Sequence, residues 1–127
     1  LEQLRSVNLR PTRQRLALAK LLFEKPDRHV TAEALHKEAA AEGARVSLAT
    51  VYNTLHQFTE AGLLREIVIG TGCSYFDTNT TDHHHYYYED SGRVEDVPAQ
   101  HFRLVGEPEV PTGMVVRRVD VVVRLGG

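Results

Sequence analysis

Ser47-Leu48-Ala49-Thr50-Val51-Tyr52-Asn53-Thr54-Leu55-His56-Gln57-Phe58 reads as one capped amphipathic helix. A serine at the first position accepts from the free amides of the first turn. Leu48, Val51, Leu55 and Phe58 fall on one apolar stripe at helical spacing. Glu60-Ala61-Gly62 ends the pattern. The opposite face carries Ala49, Thr50, Asn53, Thr54 and Gln57, with Tyr52 at its border. These are short side chains with few negative charges among them. Thr and Ala methyls can touch thymine, and Asn or Gln can pair with adenine. An ordinary solvated helix face is the competing reading of the same residues.

The flanks give this helix its context. Upstream, Thr12 is a good cap for a helix whose Leu16, Ala19, Leu22 and Phe23 share a face. Pro26 and Asp27 end it. Thr31 caps a second helix containing Leu35 and Ala39, with Glu33 in its first turn, where the dipole favours an anion. Gly43 follows as expected of a C-terminal cap. Downstream the period changes. Leu64 to Ile69 is short and β-branched, Gly70-Thr71-Gly72 turns, and Cys73 to Asp77 runs on as a hairpin. Three short helices and a hairpin outline a winged helix-turn-helix whose third helix reads the major groove. Arg13 and Arg15 open the long first helix, suited to phosphate or a narrow minor groove.

Thr78 to Thr81 is polar and unpatterned, a linker. His83 to Glu89 is aromatic and strand-like, Asp90-Ser91-Gly92 turns, and Arg93 to Val97 returns. Ala99 to Val105 is weakly strand-like, and Pro108, Pro111 and Gly113 mark a loop. In Val115 to Leu125 the end alternates, with Val119, Val121, Val123 and Leu125 on one face. Tyr86, Tyr87 and Tyr88 read as strand packing and dimer contacts. The whole is an α+β chain with a helical front and a mainly β back.

Asp82-His83-His84-His85 is the second unusual stretch. On a strand, His83 and His85 share a face and His84 points the other way. Two imidazoles so placed can share a metal, and zinc, manganese and iron all accept imidazole plus carboxylate. Asp77 and Asp96 are candidate oxygen ligands, and His29, placed at the start of the second helix, is a candidate to close the set. A solvated His-rich loop is the bland alternative. His36 and His56 read as plain helix surface. Cys73 reads as a small packed residue, with haem thiolate ligation the minor alternative.

Composition bounds these readings. The chain has 127 residues, 42% hydrophobic and 25% charged, with one cysteine and a net charge of −2. A chain this short buries only about two thirds of its unfolded surface, and two half-size domains call for a metal or a partner chain. No apolar run approaches a membrane span and no signal-peptide pattern is visible, so no membrane role is expected. One cysteine excludes an intrachain disulfide framework and fits a reducing, cytoplasmic setting. The chain opens at Leu1, and an N-terminal piece is expected to precede it. Charge is unevenly spread. Residues 1–30 hold seven Lys/Arg against three Asp/Glu, and residues 77–127 hold five against nine.

Leu9-Arg10-Pro11-Thr12-Arg13-Gln14-Arg15, Ala49-Thr50-Val51-Tyr52 within the third helix, and Tyr75-Phe76-Asp77-Thr78-Asn79 together resemble the ferric uptake regulator family. His83-His84-His85-Tyr86-Tyr87, Asp96-Val97-Pro98 and Gly113-Met114 leading into Val119 to Leu125 resemble its iron response regulator branch. The resemblance covers nearly the whole chain. It implies residues 1–77 as a winged-helix DNA-binding domain, 78–82 as a linker and 83–127 as a small α/β dimerisation and sensing domain. It implies a cytoplasmic homodimer, with a tetramer left open, that binds AT-rich inverted repeats of double-stranded DNA. By position, His29, Asp77, His83, His85 and Asp96 match the family's metal ligands for manganese, zinc or iron. Arg13, Arg15, Thr50, Tyr52 and Asn53 are the expected DNA contacts. The branch further implies haem at His83, His84 and His85, supplied directly or by a haem-delivering enzyme, which weakens DNA binding.

Three departures stand out. The Cys-X-X-Cys pairs of structural zinc are missing. Pro98 to Gly113 holds three prolines and is too broken for the family's helix there. A second metal site is reduced at most to His84 and His101. The rival classes are a conventional metal-corepressed regulator without haem, a protein-binding winged helix, and a metal hydrolase. The hydrolase lacks any His-Glu-X-X-His pattern, and no enzyme is expected.

Overall fold

The computed structural model describes residues 2–70 and 72–127; the expected turn at Gly70-Thr71-Gly72 thus has Thr71 outside the described residues. The chain divides into two compact units, Leu1–Thr81 and Asp82–Gly127.

The first unit runs α1 (Glu2–Ser6), α2 (Arg13–Phe23), β1 (His29–Val30), α3 (Ala32–Ala41), α4 (Leu48–Glu60), β2 (Arg65–Gly70) and β3 (Cys73–Asp77). The three longer helices start where their caps are. Thr12 Oγ1 accepts from Arg15 N at 3.2 Å, Thr31 Oγ1 from Ala34 N at 3.1 Å and Ser47 Oγ from Thr50 N at 3.1 Å. Each satisfies a third-position amide that has no partner within its helix. α3 and α4 stop at glycines with φ of +80° and +84°, Gly43 and Gly62. Beyond them Ala44 N donates to Ala39 O and Leu63 N to Phe58 O, both at 2.9 Å, closing the last turn.

Leu4, Leu18, Leu22, Leu35, Val51, Leu55, Phe58 and Phe76 make the centre of the core, each no more than 1% exposed. Two stripe assignments change. Leu16 and Leu48 are 36% and 37% exposed, while Leu18 and Thr54 are buried. α2 has apolar residues on most of its circumference, so periodicity alone cannot say which stripe faces its neighbours. Thr54 sits inward beside Val51, Leu55 and Phe58 because its methyl tolerates burial, which removes it from the polar face of α4. α1 and its buried Leu4 were not foreseen, being a single turn and a half.

The first sheet has the order β1-β3-β2, antiparallel throughout. His29 therefore lies on a strand and not at the start of a helix. A two-residue strand shows no alternation, so it leaves no mark in the sequence. The polar run 78–81 is tied back to this unit. Arg28 N donates to Thr78 Oγ1 at 2.9 Å and Thr78 N to Arg28 O at 3.1 Å.

The second unit holds β4 (His85–Tyr88), β5 (Arg93–Asp96) and β6 (Val122–Leu125) in the order β5-β4-β6. β4 is antiparallel to β5 and parallel to β6. The strand expected over 99–105 is instead a short 3₁₀ turn at Ala99–His101, and the expected valine-rich strand shrinks to four residues. Residues 103–120 carry no strand or helix, and Val105, Met114, Val115 and Val119 are exposed. A parallel neighbour needs a long crossover, and three prolines deny that crossover regular structure. No α-helix occurs among the described residues of this unit.

Candidate metal ligands and nucleic-acid face

Strand register puts the first pair of candidate ligands together. His29 and Asp77 are direct cross-strand partners of β1 and β3. His29 Nε2 lies 3.1 Å from Asp77 Oδ2, with the aspartate side chain 1% exposed. Asp77 Oδ1 accepts from Asn79 N at 2.8 Å. A buried carboxylate needs such partners; here they orient it toward the imidazole.

The second group lies within the other unit. Asp96 and His85 are register partners of β5 and β4. Asp96 Oδ1 lies 3.1 Å from His83 Nε2 and 3.5 Å from His85 Nε2. The two rings are 4.5 Å apart, centroid to centroid. The three side chains share one face, although the strand begins only at His85. His84 turns away: its Nδ1 accepts from Val121 N at 3.2 Å, and its ring meets Phe102 edge-on at 5.4 Å. The structure thus separates the three histidines by direction, and His84 contacts the crossover that leads to β6. Neither His84 nor His101 joins a cluster of three or more metal-type donors among the described residues.

Each residue of these two groups offers one nitrogen or carboxylate oxygen. Imidazoles with carboxylates form a borderline donor set, suited to manganese, iron or zinc and poorly suited to calcium or copper(I). The donor chemistry fits the metals that the resemblance implies.

The candidate nucleic-acid face is the outer side of α4. Asn53 and Gln57 are exposed there, and Thr50 and Tyr52 partly so. No acidic side chain occurs in α4 before Glu60. Two neighbouring helices fasten the face. Arg15 of α2 donates to Gln57 Oε1 through Nε at 3.3 Å and Nη2 at 3.0 Å, and through Nη1 to Arg10 O at 2.9 Å. Tyr52 Oη donates to Glu33 Oε1 of α3 at 2.6 Å. This hydrogen bond holds the Glu33 carboxyl below its ordinary value and raises the Tyr52 hydroxyl above its own. Arg13 is exposed at the start of α2. The Gln57 and Glu33 links were not read from the sequence, because they join residues 42 and 19 positions apart.

Cys73 is a free, partly buried thiol. His36 and His56 are less plain than expected. His36 Nε2 lies 3.1 Å from Val46 O, and His56 packs edge-on against Phe76 at 5.7 Å. Among the described residues no helix is long and apolar enough to cross a membrane.

The chain is 38% identical over 96 residues to the peroxide operon regulator of Bacillus subtilis (strain 168), a match covering 76% of this chain and 66% of that protein. It spans just under two thirds of the length of the peroxide regulators it matches. In fold it is similar to the ferric uptake regulator of Vibrio cholerae, with a TM-score of 0.76, 23% identity and coverage of 99% and 98% of the two chains. The ferric uptake regulator from Pseudomonas aeruginosa with manganese gives a TM-score of 0.74 at 24% identity, over 99% and 96%. Both likenesses support the α+β fold, and the ferric uptake regulator family model matches residues 6–120. The chain belongs to the ferric uptake regulator family.

Proposed function

We propose that this protein is a metal-responsive transcription regulator that binds double-stranded DNA as a homodimer, with no enzymatic activity. The observation that carries this reading lies in the first unit. A helix with a polar face bearing Thr50 and Asn53, with Tyr52 at its border, is built on the same small core as a strand pair whose His29 and buried Asp77 are metal-type donors. Arg13 and Arg15 supply positive charge for the DNA backbone. His29 with Asp77, and His83 and His85 with Asp96, are the ligands proposed for divalent manganese, zinc or iron. When bound, the ion supplies positive charge that fixes its ligands in one arrangement; it shifts DNA binding only through its preference for that arrangement. The family's regulators in the comparisons support this, including the one described with manganese.

The finer reading is an iron-responsive regulator of the iron response branch, whose DNA binding haem weakens. The His83-His84-His85-Tyr86-Tyr87 stretch supports it. With its Nδ1 engaged by Val121, His84 would meet haem iron through Nε2. The alternative is a metal-corepressed regulator without haem, supported by the convergence of His83 and His85 on Asp96. The name of the Bacillus subtilis relative makes peroxide a third effector to include.

The test is fluorescence anisotropy of an AT-rich inverted-repeat duplex against protein with and without Mn²⁺, then titrated with haem or peroxide. Metal-dependent binding is expected. Release by stoichiometric haem selects the iron response reading, release by peroxide selects the peroxide reading, and indifference to both selects the metal corepressor. Failure to bind any duplex at low salt overturns both.

A further inference from the structure

Tyr52 stands at the edge of the α4 face, and its hydroxyl is spoken for by a residue of the preceding helix. Oη donates to Glu33 Oε1 at 2.6 Å, while the ring lies 6.4 Å from the His56 ring. Glu33 is exposed and occupies the first turn of α3, behind the Thr31 cap. A helix N-terminus beside a DNA-reading helix ordinarily attracts phosphate through its free amides and dipole. Such a contact adds affinity for any DNA and reads no sequence. Here a carboxylate stands at that position, bonded to the side chain expected to touch bases.

We propose that Glu33 is a specificity-determining residue: it holds Tyr52 in one orientation for base contact and sets a fixed negative charge against sequence-independent phosphate docking at the start of α3. This rests on the DNA-binding reading of α4. The two effects separate chemically. Glu33→Gln keeps an acceptor for Tyr52 and loses the charge. Glu33→Ala loses both, and Tyr52→Phe loses only the donor. A tyrosine already held in one rotamer gives up less freedom on binding than a mobile one. The lowered carboxyl of Glu33 and the raised hydroxyl of Tyr52 agree with a carboxylate that stays charged and a phenol that stays a donor.

The experiment uses the full chain with Mn²⁺ and two duplexes. One is enriched by the wild-type protein from a randomised pool, and the other is a shuffled duplex of equal composition. Binding is followed across a salt series. Glu33→Gln is expected to tighten binding to the shuffled duplex by roughly two- to fivefold, to steepen its salt dependence, and to lower the ratio of selected to shuffled affinity. Glu33→Ala is expected to weaken binding to the selected duplex as well, and its loss and that of Tyr52→Phe should not add in the double variant. Without DNA, tyrosine-labelled NMR should show the Tyr52 hydroxyl titrating lower in Glu33→Ala than in the wild type. Thermal melts establish that the variants fold. Unchanged affinity ratio and salt slope in Glu33→Gln, or strictly additive losses, overturn the assignment of Glu33 while leaving DNA binding intact. A wild-type protein that enriches no duplex overturns the DNA reading and this inference with it.

Discussion

Arg15 grips Gln57 with a fork: Nε at 3.3 Å and Nη2 at 3.0 Å converge on one amide oxygen. A third donor, Nη1, is spent on Arg10 O. A guanidinium has five N–H donors, so two remain for a phosphate, aimed by the other three. Arg15→Ala is expected to weaken DNA binding at all sequences and to reduce the salt slope by about one. Gln57→Ala keeps the charge, so it should lower affinity by a few-fold, through lost aim, and leave the slope unchanged. Anisotropy at several salt concentrations separates the two outcomes. An equal slope change in both variants would refute the positioning role of Gln57.

Titration calorimetry with Mn²⁺ or Zn²⁺ counts the metals bound per chain. Asp77→Ala and Asp96→Ala should each lower affinity by roughly ten- to hundredfold, since each aspartate orients at least one histidine within its own unit. Their double variant should bind no metal. Two independent binding events, each lost with only one of the aspartates, would show separate sites.

His84→Ala tests His84 as a haem ligand separately from the metal ligands. It should leave metal affinity within about twofold, because His84 faces Val121 and Phe102. Retained haem response in this variant would exclude His84 as the haem ligand. The same variant should lower the melting temperature modestly, through loss of a part-buried hydrogen bond worth about 1 kcal/mol.

Arg28 and Glu38 make a paired fork, with Nη1 to Oε1 at 2.8 Å and Nη2 to Oε2, and Lys25 adds a contact at 3.4 Å. The Arg28 guanidinium holds the Glu38 carboxyl below its ordinary value of 4.5. A carboxyl lowered in the folded state stabilises the fold above its unfolded value and loses that contribution as pH falls through the folded one. Stability should therefore drop as pH falls below about 4.5, and Glu38→Gln should flatten that acid limb in denaturant titrations at pH 3–5. The effect is modest, because 29% of the Glu38 side chain is exposed.

Cap and core substitutions bracket the stability of the first unit. Thr31→Ala removes the acceptor of Ala34 N and should cost about 1 kcal/mol. Phe58→Ala empties one of the two fully buried phenylalanine positions among the described residues and should cost about 3–5 kcal/mol. Urea unfolding monitored by circular dichroism measures both; a Phe58→Ala loss below that of Thr31→Ala would contradict the packing described.

Three helix starts, two helix ends and two hairpins were legible because their signals are local. Thr12, Thr31 and Ser47 act on amides three residues ahead, and Gly43 and Gly62 act through their own φ. His83 and His85 were also legible as a pair, since two histidines at alternating positions leave a short-range mark. The two-residue β1, the inward turn of Thr54, the exposure of Leu16 and the loss of strand over 99–105 were not legible. Each depends on what packs or pairs opposite, and the sequence near the residue does not carry that information.

The sequence by itself determined where helices begin and end, that α4 is amphipathic, and which side chains can ligate a metal, because capping, periodicity and donor chemistry operate over a few residues. Only the tertiary structure decided that His29 stands opposite Asp77, that His83 and His85 meet Asp96 while His84 turns to Val121, and that Glu33 and Arg15 hold the α4 face. Those relations join residues 11 to 48 positions apart. Strand register and helix packing set them, through hydrogen bonds and burial summed over the whole of each unit.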